Sequence, residues 1–147
     1  MSLNLDNMND VAEAMTASGK GILAADESTE TIGKRLDQIN TESTEQTRNA
    51  YRDLLFTADG LDQYISGVIM YDETFHQSSL SGSVVYPEYL ASKGIIPGIK
   101  VDAGAHSLSG SEDEKITLGL DGLDERLSNY RKLGARFAKW RAVINIT

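Results

Sequence analysis

Cysteine is absent from this sequence, which removes thiol catalysis, a cysteine-based zinc site and disulfide stapling from consideration. A reducing cytoplasm is compatible with that. No apolar run reaches the roughly 18 residues a membrane-spanning helix needs, and the amino terminus, Met1-Ser2-Leu3-Asn4-Leu5-Asp6-Asn7, has neither the basic nor the apolar segment of a secretory signal. No membrane contact is expected. Basic residues are the minority, 14 against 22 acidic ones for a formal charge of −8. A general nucleic-acid surface needs a basic stripe, so nucleic acid is not an expected partner and any cation that matters acts locally. The two histidines, His76 and His106, lie in segments rich in Ser and Gly with no second ligand at metal spacing. They read as loop residues, and no metal is expected. A phosphate-binding Gly-x-x-x-x-Gly-Lys-[Ser/Thr] loop is missing too.

What is present is enough for one domain: 147 residues, 40% of them hydrophobic. Met8, Val11, Ala12 and Met15 follow helical spacing, Gly19-Lys20-Gly21 breaks it, and Ile22 to Ala25 forms a short apolar first strand running into Asp26. Ser43 with Gln46 three residues on resembles a capping box. A helix from about Thr44 to Ala58 follows, with Tyr51, Leu54, Leu55, Ala58 and Leu61 as its apolar face. Ile65 to Tyr71 is the second strand and the polar stretch Asp72 to Ser83 a long loop. Pro87 suits the first turn of a short helix through Lys93, and Gly94 its C′ position before a third strand, Ile95 to Val101. Leu120, Leu123, Leu127 and Tyr130 mark another helical face, stopped by Gly134 ahead of a fourth strand, Arg136 to Val143. Strands alternating with helices predict an α/β fold with a parallel sheet.

Both faces of such a sheet are normally covered, so a charge inside a strand is costly unless it is paired or sits in a polar site. Three strands carry charges nonetheless. Asp26 ends the first; Lys100 and Asp102 share a face near the end of the third; Lys139 and Arg141 share a face of the fourth by the period of two. Each charge alone could be an edge or loop charge facing water. Together they sit where β/α barrels gather catalytic groups, at the carboxyl-terminal face. Three cations and two carboxylates would suit an anionic substrate and proton transfer.

After the first strand, Asp26-Glu27-Ser28-Thr29-Glu30-Thr31-Ile32-Gly33-Lys34-Arg35 supplies hydroxyls and then a basic pair. Hydroxyls at a helix start and an arginine can hold phosphate oxygens, although Ser-Thr-x-Thr is also ordinary capping chemistry. Composition and spacing thus suggest an enzyme acting on a phosphorylated metabolite. Lys139, beside another cation, could be a Schiff-base nucleophile, or could neutralise a substrate or carboxylate.

Several segments resemble those of class I fructose-bisphosphate aldolases, in that family's order: Gly19-Lys20-Gly21-Ile22-Leu23-Ala24-Ala25-Asp26-Glu27-Ser28-Thr29, Tyr51-Arg52-Asp53-Leu54-Leu55, Ile65-Ser66-Gly67-Val68-Ile69, Gly98-Ile99-Lys100-Val101-Asp102, Gly119-Leu120-Asp121-Gly122-Leu123 and Phe137-Ala138-Lys139-Trp140-Arg141. The likeness runs from about Gly19 to Ile144. It implies a (β/α)₈ TIM barrel, of which residues 1–147 would be the amino-terminal half, about four β/α units of one domain. It also implies metal-free, reversible cleavage of fructose 1,6-bisphosphate, a glycolytic and gluconeogenic sugar phosphate, through a lysine Schiff base. Asp26 resembles the strand-one aspartate that assists the carbon–carbon bond step, and Lys139 the strand-four lysine that handles substrate charge and carbinolamine proton transfers. Lys100, Ser28, Thr31 and Arg35 resemble residues around the distal phosphate; Arg48 and Arg141 match substrate-binding arginines, Arg48 being readable equally as a solvated helix charge.

Glu30 departs from the pattern, because the family commonly has a small residue there; its carboxylate could weaken anion affinity or point outward. The resemblance also moves the Schiff-base lysine away from Lys139 to the family's sixth strand, with a catalytic glutamate on the fifth. Neither is in this chain. A barrel of this type takes about 250 residues, so the expectation is a truncated half-barrel, with Ile144-Asn145-Ile146-Thr147 following a strand directly. Either the parent is the enzyme, or the half-barrel is a non-catalytic module that associates with a partner or binds phosphate weakly. The family further implies a homotetramer without cofactor, cytoplasmic by default, with an organellar location left open.

Overall fold

A computed structural model describes residues 7–146; Met1 to Asp6, the stretch that bears on a signal segment, and Thr147 lie outside the described residues. Helix α1 (Met8–Met15) starts at Asn7, whose side chain accepts from the Asn9 N–H, and it buries Val11. Strand β1 (Gly21–Ala25) follows, then α2 (Thr29–Asp37) and α3 (Glu45–Phe56). A single turn, α4 (Leu61–Tyr64), leads directly into β2 (Ile65–Met70). Next come α5 (Asp72–Phe75), α6 (Tyr86–Ser92) and β3 (Ile96–Lys100). A small hairpin, β4 (Ala105–Ser107) with β5 (Lys115–Thr117), precedes α7 (Leu123–Lys132) and β6 (Phe137–Lys139).

The four expected strands form one parallel sheet in the order β1-β2-β3-β6, leaving β1 and β6 as its edges. Its helix-covered side holds the core: Ala25, Val68, Met70, Ile99 and Val101 meet Phe56, Phe75, Tyr86 and Leu90. Phe56 and Tyr86 pack edge to face with centroids 4.9 Å apart. The other side is the one that the expected barrel would turn inward. The register pairs Ile22 with Gly67, Ala24 with Ile69, Ile69 with Gly98, and Gly98 with Phe137, so these residues share the inner face. It is only partly filled here, with Ile22 43% exposed. The Phe137 ring lies across Gly98 so closely that a Cβ there would sit 2.2 Å from it.

Several sequence expectations need correction. The cap of α3 is Thr44, not Ser43: the Thr44 side chain accepts from the Thr47 N–H, and Thr47 Oγ1 accepts from the Thr44 N–H at 2.9 Å. Thr47 therefore takes the reciprocal place expected of Gln46, and Ser43 accepts from Arg48 instead. Leu55 packs against the core as expected, but Leu54 is 75% exposed and Arg52 is buried with Phe56, so the core face of α3 is turned away from Leu54 toward Arg52 and Phe56. The stretch from Asp72 to Ser83 is not all loop, because Asp72 and Glu73 favour the first turn of α5 and Phe75 is buried. Leu120 lies outside α7 and is 70% exposed.

Strand boundaries also move inward. The third strand ends at Lys100 and the fourth at Lys139, so Asp102 and Arg141 follow strands instead of sharing a strand face with the lysines. Side chains take over the backbone groups a longer ladder would use. The Arg141 N–H donates to Asp102 Oδ2 at 3.3 Å, and the Arg141 carbonyl accepts from Thr117 Oγ1 at 2.7 Å. The hairpin β4–β5 has no counterpart among the sequence expectations; Gly119, at φ +120°, brings its far end so close to Ala103 that a Cβ would lie 2.8 Å from the Ala103 nitrogen.

Candidate active site

At the carboxyl-terminal end of the sheet, an open cleft of about 540 Å³ is lined by Asp26, Ser28, Thr31, Lys100, Lys139 and Arg141 among others. It is the polar hollow predicted from strand-end charges. Its floor follows from register: Lys100 pairs with Lys139, and Asp26 and Tyr71 each stand one residue beyond the pairing of Ala25 with Met70. These four residues therefore form one layer above the inner-face residues described above.

Lys139 Nζ donates to Asp26 Oδ2 at 2.7 Å, with the Asp26 side chain largely buried and that of Lys139 about one-third exposed. Lys100 Nζ donates to both the carbonyl and Oδ1 of Asp102, at 2.7 and 2.6 Å. Burial works against ionisation of Asp102, but the Lys100 hydrogen bond and charge, with the N–H groups of Gly104 and Arg141, hold its carboxyl below the usual carboxylate range. Ser28 caps α2: its Oγ accepts from the Thr31 N–H and lies 3.1 Å from Thr31 Oγ1. Among the described residues the Arg141 guanidinium has no partner side chain, which leaves it available to an anion.

Two predicted arginines are not brought to the cleft. Arg35 donates to the Tyr51 hydroxyl at 2.8 Å and pairs with Glu27. Arg48 makes a two-pronged pair with Glu73, at 2.8 and 2.5 Å, joining α3 to α5. That hydrogen bond raises the Arg48 guanidinium above its ordinary value. Glu30 does line the cleft, but its side chain is 80% exposed and accepts from Lys34 at 2.7 Å, so its charge is directed along the helix surface.

The cleft also contains residues to which the sequence assigns no role. Tyr71 reads only as the end of the second strand, yet the strand period places it in the layer of Asp26. His106, which reads as a loop residue, lines the cleft as well, with its Nε2 3.4 Å from the Ala103 carbonyl. Beyond the cleft wall, Arg126 on α7 donates to the carbonyls of Val101 and Gly119 and so joins the end of β3 to the hairpin. An arginine on a helix resembles any solvated charge, so its sequence carries no signal.

Such a cleft can bind an anion and move a proton between a carboxylate and an ammonium group. Residues 7–147 match the family model described as fructose-bisphosphate aldolase class-I. "Fructose-bisphosphate aldolase 1" of Toxoplasma gondii is 58% identical over 135 residues, covering 92% of this chain and 37% of that protein. "Probable fructose-bisphosphate aldolase class 1" of Xylella fastidiosa is 56% identical over 144 residues, covering 98% of this chain and 43% of its own length. A solved structure of fructose-bisphosphate aldolase from Plasmodium falciparum, in complex with TRAP and a small molecule inhibitor, superposes with a TM-score of 0.88 at 50% identity, over 93% of this chain and 39% of that one. The chain thus spans about two fifths of the length of the relatives it matches.

Proposed function

The chain belongs to the class I fructose-bisphosphate aldolase family, and on that premise we propose that the protein carrying it cleaves fructose 1,6-bisphosphate reversibly into dihydroxyacetone phosphate and glyceraldehyde 3-phosphate through a lysine Schiff base. Residues 1–147 supply the amino-terminal half of one (β/α)₈ barrel and part of the site. The observation that carries this reading is the contact between Asp26 and Lys139 at the carboxyl-terminal end of the sheet, beside Lys100.

Asp26 offers a carboxylate, held in place by an ammonium, to assist the carbon–carbon bond step. Lys139, partly exposed on the cleft side, neutralises substrate charge and exchanges protons with the carbinolamine. Lys100, Ser28 and Thr31 face the distal phosphate, and the Arg141 guanidinium, without a partner side chain among the described residues, adds a contact a planar fork can make bidentate. Arg35 and Arg48 reach substrate only if their side chains leave Glu27 and Glu73. The assembled protein is a cytoplasmic homotetramer in this reading.

Borohydride reduction in the presence of dihydroxyacetone phosphate, followed by peptide mass spectrometry, tests the division of labour. The isolated 147-residue chain acquires no stable adduct, and the full-length protein acquires one on a lysine outside these residues. Reduction onto Lys139 overturns the assignment.

A further inference from the structure

Arg52 heads the fully buried side chains, at 2% exposure, yet it does not line the cleft. Burying a guanidinium is costly, and this cost is tolerated only where its donors are used. Here they are used in a particular way. Nε donates to the Ala25 carbonyl at 2.8 Å and Nη2 to the Glu27 carbonyl at 2.8 Å, while the Glu27 carboxylate lies 3.4 Å from Nη2. Ala25 and Glu27 are the residues on either side of Asp26.

A guanidinium is planar and its donors keep a fixed spacing. Gripping the Ala25 and Glu27 carbonyls with one such group fixes the peptide plane that leads into Asp26 and the one that follows Glu27, pinning the chain on both sides of Asp26 and with it the direction in which the Asp26 side chain leaves the backbone. That direction matters because Asp26 sits just past the end of β1, where ladder hydrogen bonds no longer hold the chain. The grip is braced from behind: Tyr51 packs over the Arg52 guanidinium at 5.5 Å, and Arg35 ties the Tyr51 hydroxyl to Glu27.

We propose that Arg52 is a positioning residue that aims the Asp26 carboxylate at the cleft. The proposal rests on the reading of Asp26 as a catalytic group, and the test separates the two. In the full-length protein, Arg52→Lys keeps a cation and an aliphatic stem but cannot grip two carbonyls in one plane; Arg52→Gln keeps polarity without charge. Turnover and KM for fructose 1,6-bisphosphate are measured for both and for Asp26→Asn, with kcat divided by the fraction of sites trapped by borohydride so that poorly folded molecules do not count. Both Arg52 variants are expected to lose about 10- to 100-fold in kcat per trapped site, as a displaced catalytic group does, while KM stays within about threefold. Unchanged kcat per trapped site in Arg52→Lys overturns the positioning role while leaving Asp26 as it stands. Normal kcat in Asp26→Asn overturns the reading of the site itself.

Discussion

Lys139 Nζ donates to Asp26 Oδ2 at 2.7 Å although Lys139 ends one edge strand of the four-stranded sheet, Asp26 directly follows the other, and the two are 113 positions apart in sequence. Neighbouring strands lie about 4.8 Å apart, so a flat sheet would hold its edge strands about 14 Å from each other. The contact therefore reports curvature: the sheet bends until its two ends share one polar site. On the proposed function, Asp26→Asn in the full-length protein is expected to lower kcat by about 100-fold or more, the scale of a lost acid–base group. Lys139→Met should do likewise. Because each group holds the other, the double variant should lose less than the product of the single losses; strictly multiplicative losses in kcat would show that the two act separately.

Asp102 couples this site to pH. Its folded-state pKa is depressed, chiefly by Lys100 against the opposing effect of burial, so the stability it contributes is present above the unfolded value of about 3.9 and is lost as pH falls through the lower folded value. Asp102→Asn is expected to destabilise the full-length protein at neutral pH by about 1.5–3 kcal/mol, the worth of a hydrogen bond to a charged group. In urea titrations the difference from the unsubstituted protein should shrink below about pH 4. A difference that stays constant with pH would mean that the charge of Asp102 is not what stabilises.

Gly98 has no room for a side chain under the Phe137 ring. Gly98→Ala should cost about 1–3 kcal/mol through overpacking, read as a lower urea midpoint of the full-length protein. Phe137→Leu removes the ring and should absorb much of that cost, so the two substitutions together should destabilise less than their sum. Additive effects would place the strain elsewhere.

The parallel sheet and most of the cleft are legible in the sequence because of one physical rule. Strands covered on both faces exclude charge, so Asp26, Lys100 and Lys139 stand out against Ile22–Ala25, Ile95–Val101 and the apolar residues around Phe137. Arg52 cannot be read the same way, since a helical arginine usually extends into water and only the tertiary position of the Ala25 and Glu27 carbonyls buries it. Arg48 is drawn to the cleft by resemblance alone and Arg35 by its place in a hydroxyl-rich, basic segment as well; the packing that brings Tyr51 to Arg35 and Glu73 to Arg48 is encoded by no local pattern. The hairpin strands are three residues long, too short for a period of two to show.

Glu30 decides a smaller question about the phosphate end of the cleft. It stands in the first turn of α2, where a carboxylate complements the helix dipole, and Lys34 four residues on binds it and holds its carboxyl below the usual range. The pairing with Lys34, one turn further along the helix, draws its charge away from the space between Ser28 and Lys100. Replacing Glu30 with Gln should therefore lower KM for a phosphorylated substrate by less than about tenfold at low ionic strength, and the change should vanish as salt screens an exposed charge. The comparison of KM in dilute buffer and at high salt for the full-length protein checks this. A larger change that resists salt would mean that the carboxylate points into the phosphate site when substrate is bound, and that its pairing with Lys34 is broken there.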